Sequence, residues 1–473
     1  MTRDEVRAAG RRVARWHGRF AGLFGRVEAQ GHSEVYVRGL LSNLRRKNVE
    51  AIALRFSEAE EGGVEEKEVV ALQAFVTGSP WQWGEVQREI QAVFAEELVP
   101  SASQWTLGTV GVIDESGFVK QGSDSVGVAR QYCGRLGKTE NCQVGVFLVG
   151  VTPAGTALLD DQLFLPADWA QDRQRRRKTH VPEEVTFQTK PEIAAEMIRR
   201  TLGAGQVSFS WIVGDELYGD SGKLLDALEQ MHQRYVLEVK CNTTVWTENP
   251  AGRKSIYKGP KRRAREGGWR QPAVRSLQEI GGELPAEAWQ PIKLREGTKG
   301  PLIYEYARLR AWAVRHGKSG PAIWVLFQRS LDDPKEIKYH VSNANQKTSL
   351  EELALAAGTR CRVEEFFHDA KRHLGMAHYE TRAWASWHHH MSLVALAHLY
   401  VTLTKQHLRE ETPELTLDMA VQVLQSAFAH RELSEDDAIA ILEYHLRRNR
   451  QAHESHRKTW LRKHKRRDLK TLL

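Results

Sequence analysis

Apolar positions along the chain change their period twice. In residues 1–100 they recur at helical spacing: Tyr36, Leu40 and Leu44 stand four apart and Leu41 widens the stripe. Arg38, Arg45, Arg46 and Lys47 fall on the other side, which predicts an amphipathic helix with a basic face. Such a helix either enters a DNA groove or packs on a neighbouring core with ordinary surface charge, and the pattern leaves both open. The acid-rich stretch Glu58 to Glu68 reads as a loop, and SPWQW, Ser79 to Trp83, starts a further helix whose tryptophans suit a core.

From Trp105 to about Trp246, short β-branched runs alternate with helical stretches, which predicts an α/β domain. Val110 to Ile113 reads as a buried strand ending at Asp114 and Glu115. SVGVARQYCG, CQVGVFLVGVT and TALLDDQLFLP follow as further strands. Pro191 to Leu202 reads as a helix, Val207 to Val213 as a strand ending at Asp215 and Glu216, Ser221 to His232 as a helix, and RYVLEV as the closing strand. Residues 245–347 are β-rich, with runs such as PLIYEYARLRAW, AIWVLFQRS and EIKYHVSN preceded by the basic KGPKRRAR. Beyond them the pattern is helical again, including Arg360 to Lys371, Leu415 to Phe428, and a helix opened by SEDD at Ser434.

The chemistry-bearing residues sit at the edges of these elements. On a helix, Arg360, Glu364 and Lys371 share a narrow sector, one carboxylate flanked by cations. Alone that is an ordinary solvated ion pair. Asp114 and Asp215 at two strand ends add two carboxylates, although a lone Asp there is commonly a turn former or cap. Three converging carboxylates can hold two hard divalent cations roughly 3.5 to 4 Å apart, the arrangement used for in-line attack at phosphorus. Between Asp215 and Glu364 lie 148 residues, too many for one crossover, so an insertion is expected there. DRQRRRKT, Asp172 to Thr179, reads as a basic loop whose Arg175, Arg176 and Arg177 either touch DNA phosphates or are merely solvated. His388, His389 and His390 cannot all reach one ion, because consecutive helical residues point about 100° apart.

Composition narrows the class. With 473 residues, 41% hydrophobic and 27% charged, the chain is long enough for several domains. It has no run of about 18 apolar residues and no apolar stretch after its basic start, so neither a membrane span nor a secretory signal is expected, and the cytoplasm is the default. Cys133, Cys142, Cys241 and Cys361 show no CxxC spacing, which argues against a zinc ribbon or disulfide framework. Net charge is +8 overall, yet Arg447 to Leu473 holds eleven Lys and Arg against two acids. That tail is either a polyanion-facing segment or a solvated end.

Taken together, the motifs resemble the DDE transposases of bacterial insertion sequences. The likeness runs from Asp114 to Met391, through DESGFVKQGSDSVGVARQYCGRLGKTENCQVGV, VPEEVTFQTKPEIA, GDELYGDSGKLLDALEQMHQRYVLEV, RCRVEEFFHDAK and WHHHM. Arg360, Glu364 and Lys371 match the branch with a tyrosine, arginine, glutamate and lysine signature, while Ala357 stands at the tyrosine position.

The resemblance implies an α/β fold with an RNase H-like core (101–244 and 348–400), interrupted by a β-rich insertion domain (245–347). A helical DNA-binding N-terminal region (1–100) and a helical C-terminal region with a basic tail (401–473) would flank it. It implies Asp114, Asp215 and Glu364 as metal ligands for two Mg2+ ions, with Mn2+ able to substitute, and Arg360 and Lys371 as contacts to transposon-end DNA. It also implies a homodimer on paired ends, a nucleoid-associated bacterial protein, and cut-and-paste transposition with hairpin ends left open by the missing tyrosine. Trp312, Trp324 and Tyr339 are the candidates for stacking a flipped base, though aromatic residues in strands are usually core. A regulatory DNA-binding protein and a metal-dependent nuclease without strand transfer remain alternatives. A carboxylate-pair glycosidase leaves the basic tail unexplained.

Overall fold

The computed structural model of the protein describes residues 2–56, 66–250, 274–297, 300–409, 412, 415–428 and 435–463. The N-terminal region is helical: α1 (Arg3–Ala21), α2 (Val27–Leu41), α3 (Val49–Phe56), α4 (Glu66–Thr77) and α5 (Trp83–Val93). Thr2 and Glu5 cap α1 reciprocally, and Ala9, Val13, His17 and Phe20 form its buried stripe. Most of the loop expected at Glu58 to Glu68 lies outside the described residues, and α4 already begins at Glu66.

The basic face expected around α2 needs correction. The helix stops at Leu41, so Leu44 and the cations after it lie past its end. Lys47 is buried, and its ammonium donates to the carbonyls of Leu40, at 2.5 Å, and of His373. Last-turn carbonyls lack partners within their helix, and a buried lysine can supply them. Of the cations expected on that face, Arg38 on α2 and Arg45 and Arg46 beyond it are exposed.

The strands are β1 (Val110–Val119), β2 (Ala129–Cys133), β3 (Lys138–Thr152), β4 (Gly155–Leu163), β5 (Trp211–Gly214) and β6 (Tyr235–Val239). Then come β7 (Thr244–Trp246), β8 (Val274–Ser276), β9 (Gln290–Gly297), β10 (Gly300–Arg315), β11 (Lys318–Ser330) and β12 (Ile337–Ser342). β3 pairs antiparallel with β1 on one side and with β2 and β4 on the other. β5 lies parallel to both β1 and β6. Between β4 and β5 come α6 (Ala167–Gln171), α7 (Arg173–Lys178) and α8 (Lys190–Gly203); α9 (Glu216–Gly219) and α10 (Gly222–Gln230) separate β5 from β6. The architecture is the α/β one expected.

α7 replaces the basic loop expected at Asp172 to Thr179. The Asp172 side chain accepts from the backbone N–H groups of Gln174 and Arg175, both at 3.0 Å, and so starts a helical turn that a charge run conceals.

The β-rich stretch is present but does not close on itself. β12 pairs with β6, and β11, β10, β7 and β8 continue outward, with β9 beside β10, so all twelve described strands belong to one sheet. KGPKRRAR lies outside the described residues.

After α11 (Leu277–Glu283), the C-terminal helices are α12 (Leu350–Gly358), α13 (Cys361–His373), α14 (Trp384–Arg409), α15 (Leu417–Ala427) and α16 (Glu435–Lys463). Ser434 is outside the described residues. α14 is buried over most of its length and packs against α1, α2, α4, α5 and β4. His388, His389 and His390 serve that packing: His389 stacks on Trp81 at 3.8 Å, His388 on Trp83 at 4.9 Å, and His390 Nδ1 pairs with the Tyr36 hydroxyl at 2.9 Å. The four cysteines are free thiols, and no described helix is long and apolar enough to cross a membrane.

Candidate active site

The register of two parallel strands builds the site. Ile113 of β1 stands opposite Gly214, the last residue of β5, so Asp215 leaves β5 beside Asp114. The first strand does not stop at Asp114 and Glu115 as expected: pairing of Asp114 to Val119 with β3 carries β1 on to Val119, so Asp114 lies within the strand. Asp215 also caps α9, accepting from the Leu217 N–H at 3.0 Å, which fixes its carboxylate at the sheet edge. α9 lies close on β6: a Cβ on Gly219 would fall 1.9 Å from the Glu238 carbonyl oxygen, so only glycine permits that approach.

Glu115 joins the two aspartates. Asp114, Glu115 and Asp215 each offer an oxygen within 4.8 Å of the others. Adjacent strand residues point to opposite faces, which gives no sign that Glu115 belongs with Asp114. β5 ends at Gly214, however, and Glu115 meets the Tyr218 hydroxyl of α9 at 3.0 Å and Lys190 of α8 at 2.8 Å.

Burial and crowding shape the charge. Burial first, then Asp215 and Glu115, push the Asp114 carboxyl up to about 8, with Arg360 opposing. Burial and Glu115 raise Asp215 to about 6. Oxygen-only donors that repel one another fit a hard divalent cation.

The facing helix α13 brings the cations. Arg360, just before it, lies 2.6 Å from Glu364, 3.7 Å from Glu238 and 3.9 Å from Asp114. Lys371 donates to Ser116 Oγ at 2.7 Å and to the Gly117 carbonyl at 3.3 Å, tying α13 to β1. Glu364 is turned outward, its side chain 55% exposed, and Arg360 stands between it and Asp114. The structure therefore brings Asp114, Asp215, Arg360 and Lys371 together, leaves Glu364 at the rim, and adds Glu115, Lys190, Tyr218 and Glu238, none of which the sequence pattern singled out as site residues. Only the adjacent Asp-Glu pair in the first strand hinted at Glu115.

Other sequence candidates lie apart from this cluster. Tyr339 is 7% exposed and edge-on to Phe327, since β12 has β6 on one side and β11 on the other; it is a core residue rather than a stacking platform. Trp312 is half-buried beside Trp246. Trp324 is half-buried under Arg308 and Arg310, 4.2 and 5.1 Å from its ring. Arg176 donates to the carbonyls of Pro182 and Val185, each at 2.7 Å, and so latches the loop after α7 instead of facing outward. Arg175 pairs with Asp172 at 3.4 Å, and Arg177 is exposed.

Sheet and acids define a class: α/β proteins that gather carboxylates on one central strand and at the end of its parallel neighbour as a donor set for divalent cations. Residues 19–301, more than half the chain, match the family model described as DDE superfamily endonuclease, and the protein belongs to that family. The matched span includes Asp114, Glu115 and Asp215 and stops before Glu364. Over 205 residues the chain is 30% identical to the probable transposase for insertion sequence element IS701 of Microchaete diplosiphon, a match covering 43% of this chain and 47% of that one. The chain thus spans about half the length of this curated relative. A cryo-EM structure of a piggyBac transposase synaptic complex with hairpin DNA is similar at a TM-score of 0.35 and 11% identity, over 86% of this chain and 78% of that chain.

Proposed function

We propose that the protein is an insertion-sequence DNA transposase that cleaves element ends and joins them to target DNA. One observation carries this reading: Asp215, leaving β5, stands beside Asp114 within β1, with both carboxyls raised by burial and neighbouring acids, beside the cationic start of α13. The strand order β4, β3, β1, β5, β6 agrees with an RNase H-like core.

Asp114, Asp215 and Glu364 would hold two Mg2+ ions, or Mn2+ in their place. Bound there, the ions lower the pKa of the attacking water or 3′-hydroxyl and stabilise the leaving oxygen. Glu364 is the acid free to be redeployed, because among the described residues only Arg360 holds it, whereas Glu115 is fixed by Lys190 and Tyr218. Arg360, released from Glu364, grips a phosphate in bidentate fashion, and Lys371 acts as a point charge near it. Arg175 and Arg177 add phosphate contacts at the surface. Two protomers pair two ends in the bacterial cytoplasm, on the nucleoid.

The test incubates the full chain with DNA from the ends flanking its own gene and Mg2+, resolving both strands on a denaturing gel. Discrete end cleavage followed by joined products, abolished by Asp215→Ala, is expected, and hairpin strands would run at doubled length. Cutting without joining would replace this reading by a nuclease. Sequence-specific binding without any cut would replace it by a regulatory DNA-binding protein.

A further inference from the structure

Two clefts away from the carboxylates run into each other. The first, about 730 Å³, lies between the end of β1 and the chain after α13, lined by Lys120, Arg382, Arg45 and Arg46 among others. The second, about 620 Å³, shares Arg45, Arg46 and Glu380 and continues past Arg55 to Ile441 and His445 of α16. Together they form one groove from the strand that carries Asp114 to the base of the last described helix.

Its acids are largely spent on neighbours. Glu380 pairs with Arg46 and accepts from Asn48 at 3.1 Å, and Glu50 accepts from the Tyr444 hydroxyl at 3.0 Å. Asp124, near the first cleft, pairs with Lys178 at 2.7 Å and Arg382 at 3.6 Å. Arg45 is exposed and makes no ion pair among the described residues. The groove therefore keeps a positive lining.

Where the groove ends, α16 leaves the body. From Leu446 to Lys458 every side chain is exposed. Leu446 to Lys463 carries seven Lys and Arg against one acid, Glu454. Arg447 pairs with Glu66 at 3.1 Å, whereas Arg448 and Arg450 have no ion pair among the described residues. A helix exposed on all faces gains nothing from packing, and like charges such as Lys458 and Arg462, four apart, oppose it. A polyanion would remove that repulsion. The exposed run Leu446 to Lys458 spans about 20 Å at 1.5 Å per residue, close to the length of six base pairs at about 3.4 Å each. An α-helix fits the major groove of a duplex.

We propose that this groove and the exposed half of α16 form one docking track for duplex DNA outside the carboxylate site, with a phosphate backbone in the groove and α16 in the major groove. It rests on the DNA substrate proposed above and adds where the DNA flanking the reacting end is held.

The test measures anisotropy of a labelled duplex several turns long, and of a single strand of equal length, with the full chain in EDTA over a series of NaCl concentrations. Each lost phosphate contact removes about 0.9 from the slope of log K against log salt for a duplex. Arg448→Gln with Arg450→Gln is expected to lower the duplex slope by about 1.8, and Arg45→Gln with Arg382→Gln by a similar amount. Arg448 and Arg450 are exposed and have no ion pair among the described residues, so their variant should keep the wild-type melting curve, which separates lost contact from lost fold. Unchanged duplex slopes in both variants would overturn the track, and so would an equal loss on single strands. If wild type binds with these slopes yet cuts no DNA, the proposed catalysis fails while the track stands. If Asp215→Ala abolishes cutting and both variants bind as wild type, the reverse holds.

Discussion

Asp114 carries the highest carboxyl pKa of the cluster, and its titration gives a stability test that needs no DNA. Its folded-state pKa of about 8 lies above the ordinary 3.8, so the folded protein holds this proton more tightly than the unfolded chain. The resulting stabilisation is complete below about 3.8 and is lost as pH rises through about 8. In EDTA, the melting temperature of wild type should therefore fall relative to Asp114→Asn across that window. Adding Mg2+ at the alkaline end should restore wild type and leave Asp114→Asn unmoved; a constant difference at all pH values would contradict the assignment.

Glu115 and Glu364 are separated by a second residue-scale experiment. Glu364→Gln should cost more than about 100-fold in end cleavage if that side chain is a ligand. Glu115→Gln, which tunes the site through Lys190 and Tyr218, should cost about 10- to 100-fold, as outer-shell changes do. A reversed order would make Glu115 the third ligand.

Among the elements, short α9 has the most influence on the site, because its cap is Asp215 and its end touches β6. Gly219→Ala places a methyl group against the Glu238 carbonyl, and Glu238 lies beside Arg360. A loss of about 1 to 3 kcal/mol in urea unfolding is expected, typical of overpacking, together with reduced cleavage. Wild-type stability in that variant would show that α9 can shift without cost. α9 and α7 also show what local pattern conceals. α7 looks like a loop because arginines dominate it, although Asp172 caps it and Arg176 spends its guanidinium on carbonyls. Lys47 reads as surface charge, and its burial follows from carbonyls contributed by the end of α2 just before it and by the distant α13.

At the scale of the molecule, the sheet is continuous from β1 and β5 into residues 245–347, because β12 pairs with β6. Removing 245–347 would leave the buried run Tyr235–Val239 as a bare edge, and exposed apolar edges aggregate. That deletion should sediment as large aggregates; a monodisperse product would show that the added strands are a separable domain. The sequence by itself determined the α/β alternation, the helical ends and Asp215 at the close of a strand, since these are written in local hydrophobic period; it stopped the first strand at Asp114, whereas pairing with β3 carries β1 on to Val119. It also set Arg360 and Lys371 on one helix face by spacing alone. Only the tertiary structure decided that Glu115 enters the cluster, that Glu364 waits at the rim behind Arg360, that Tyr339 is core, and that the β-rich stretch prolongs one sheet. Those outcomes depend on which strand ends first, which side chain reaches a partner hundreds of residues away and which edge pairs with which, and none of these is encoded in the period of a single segment.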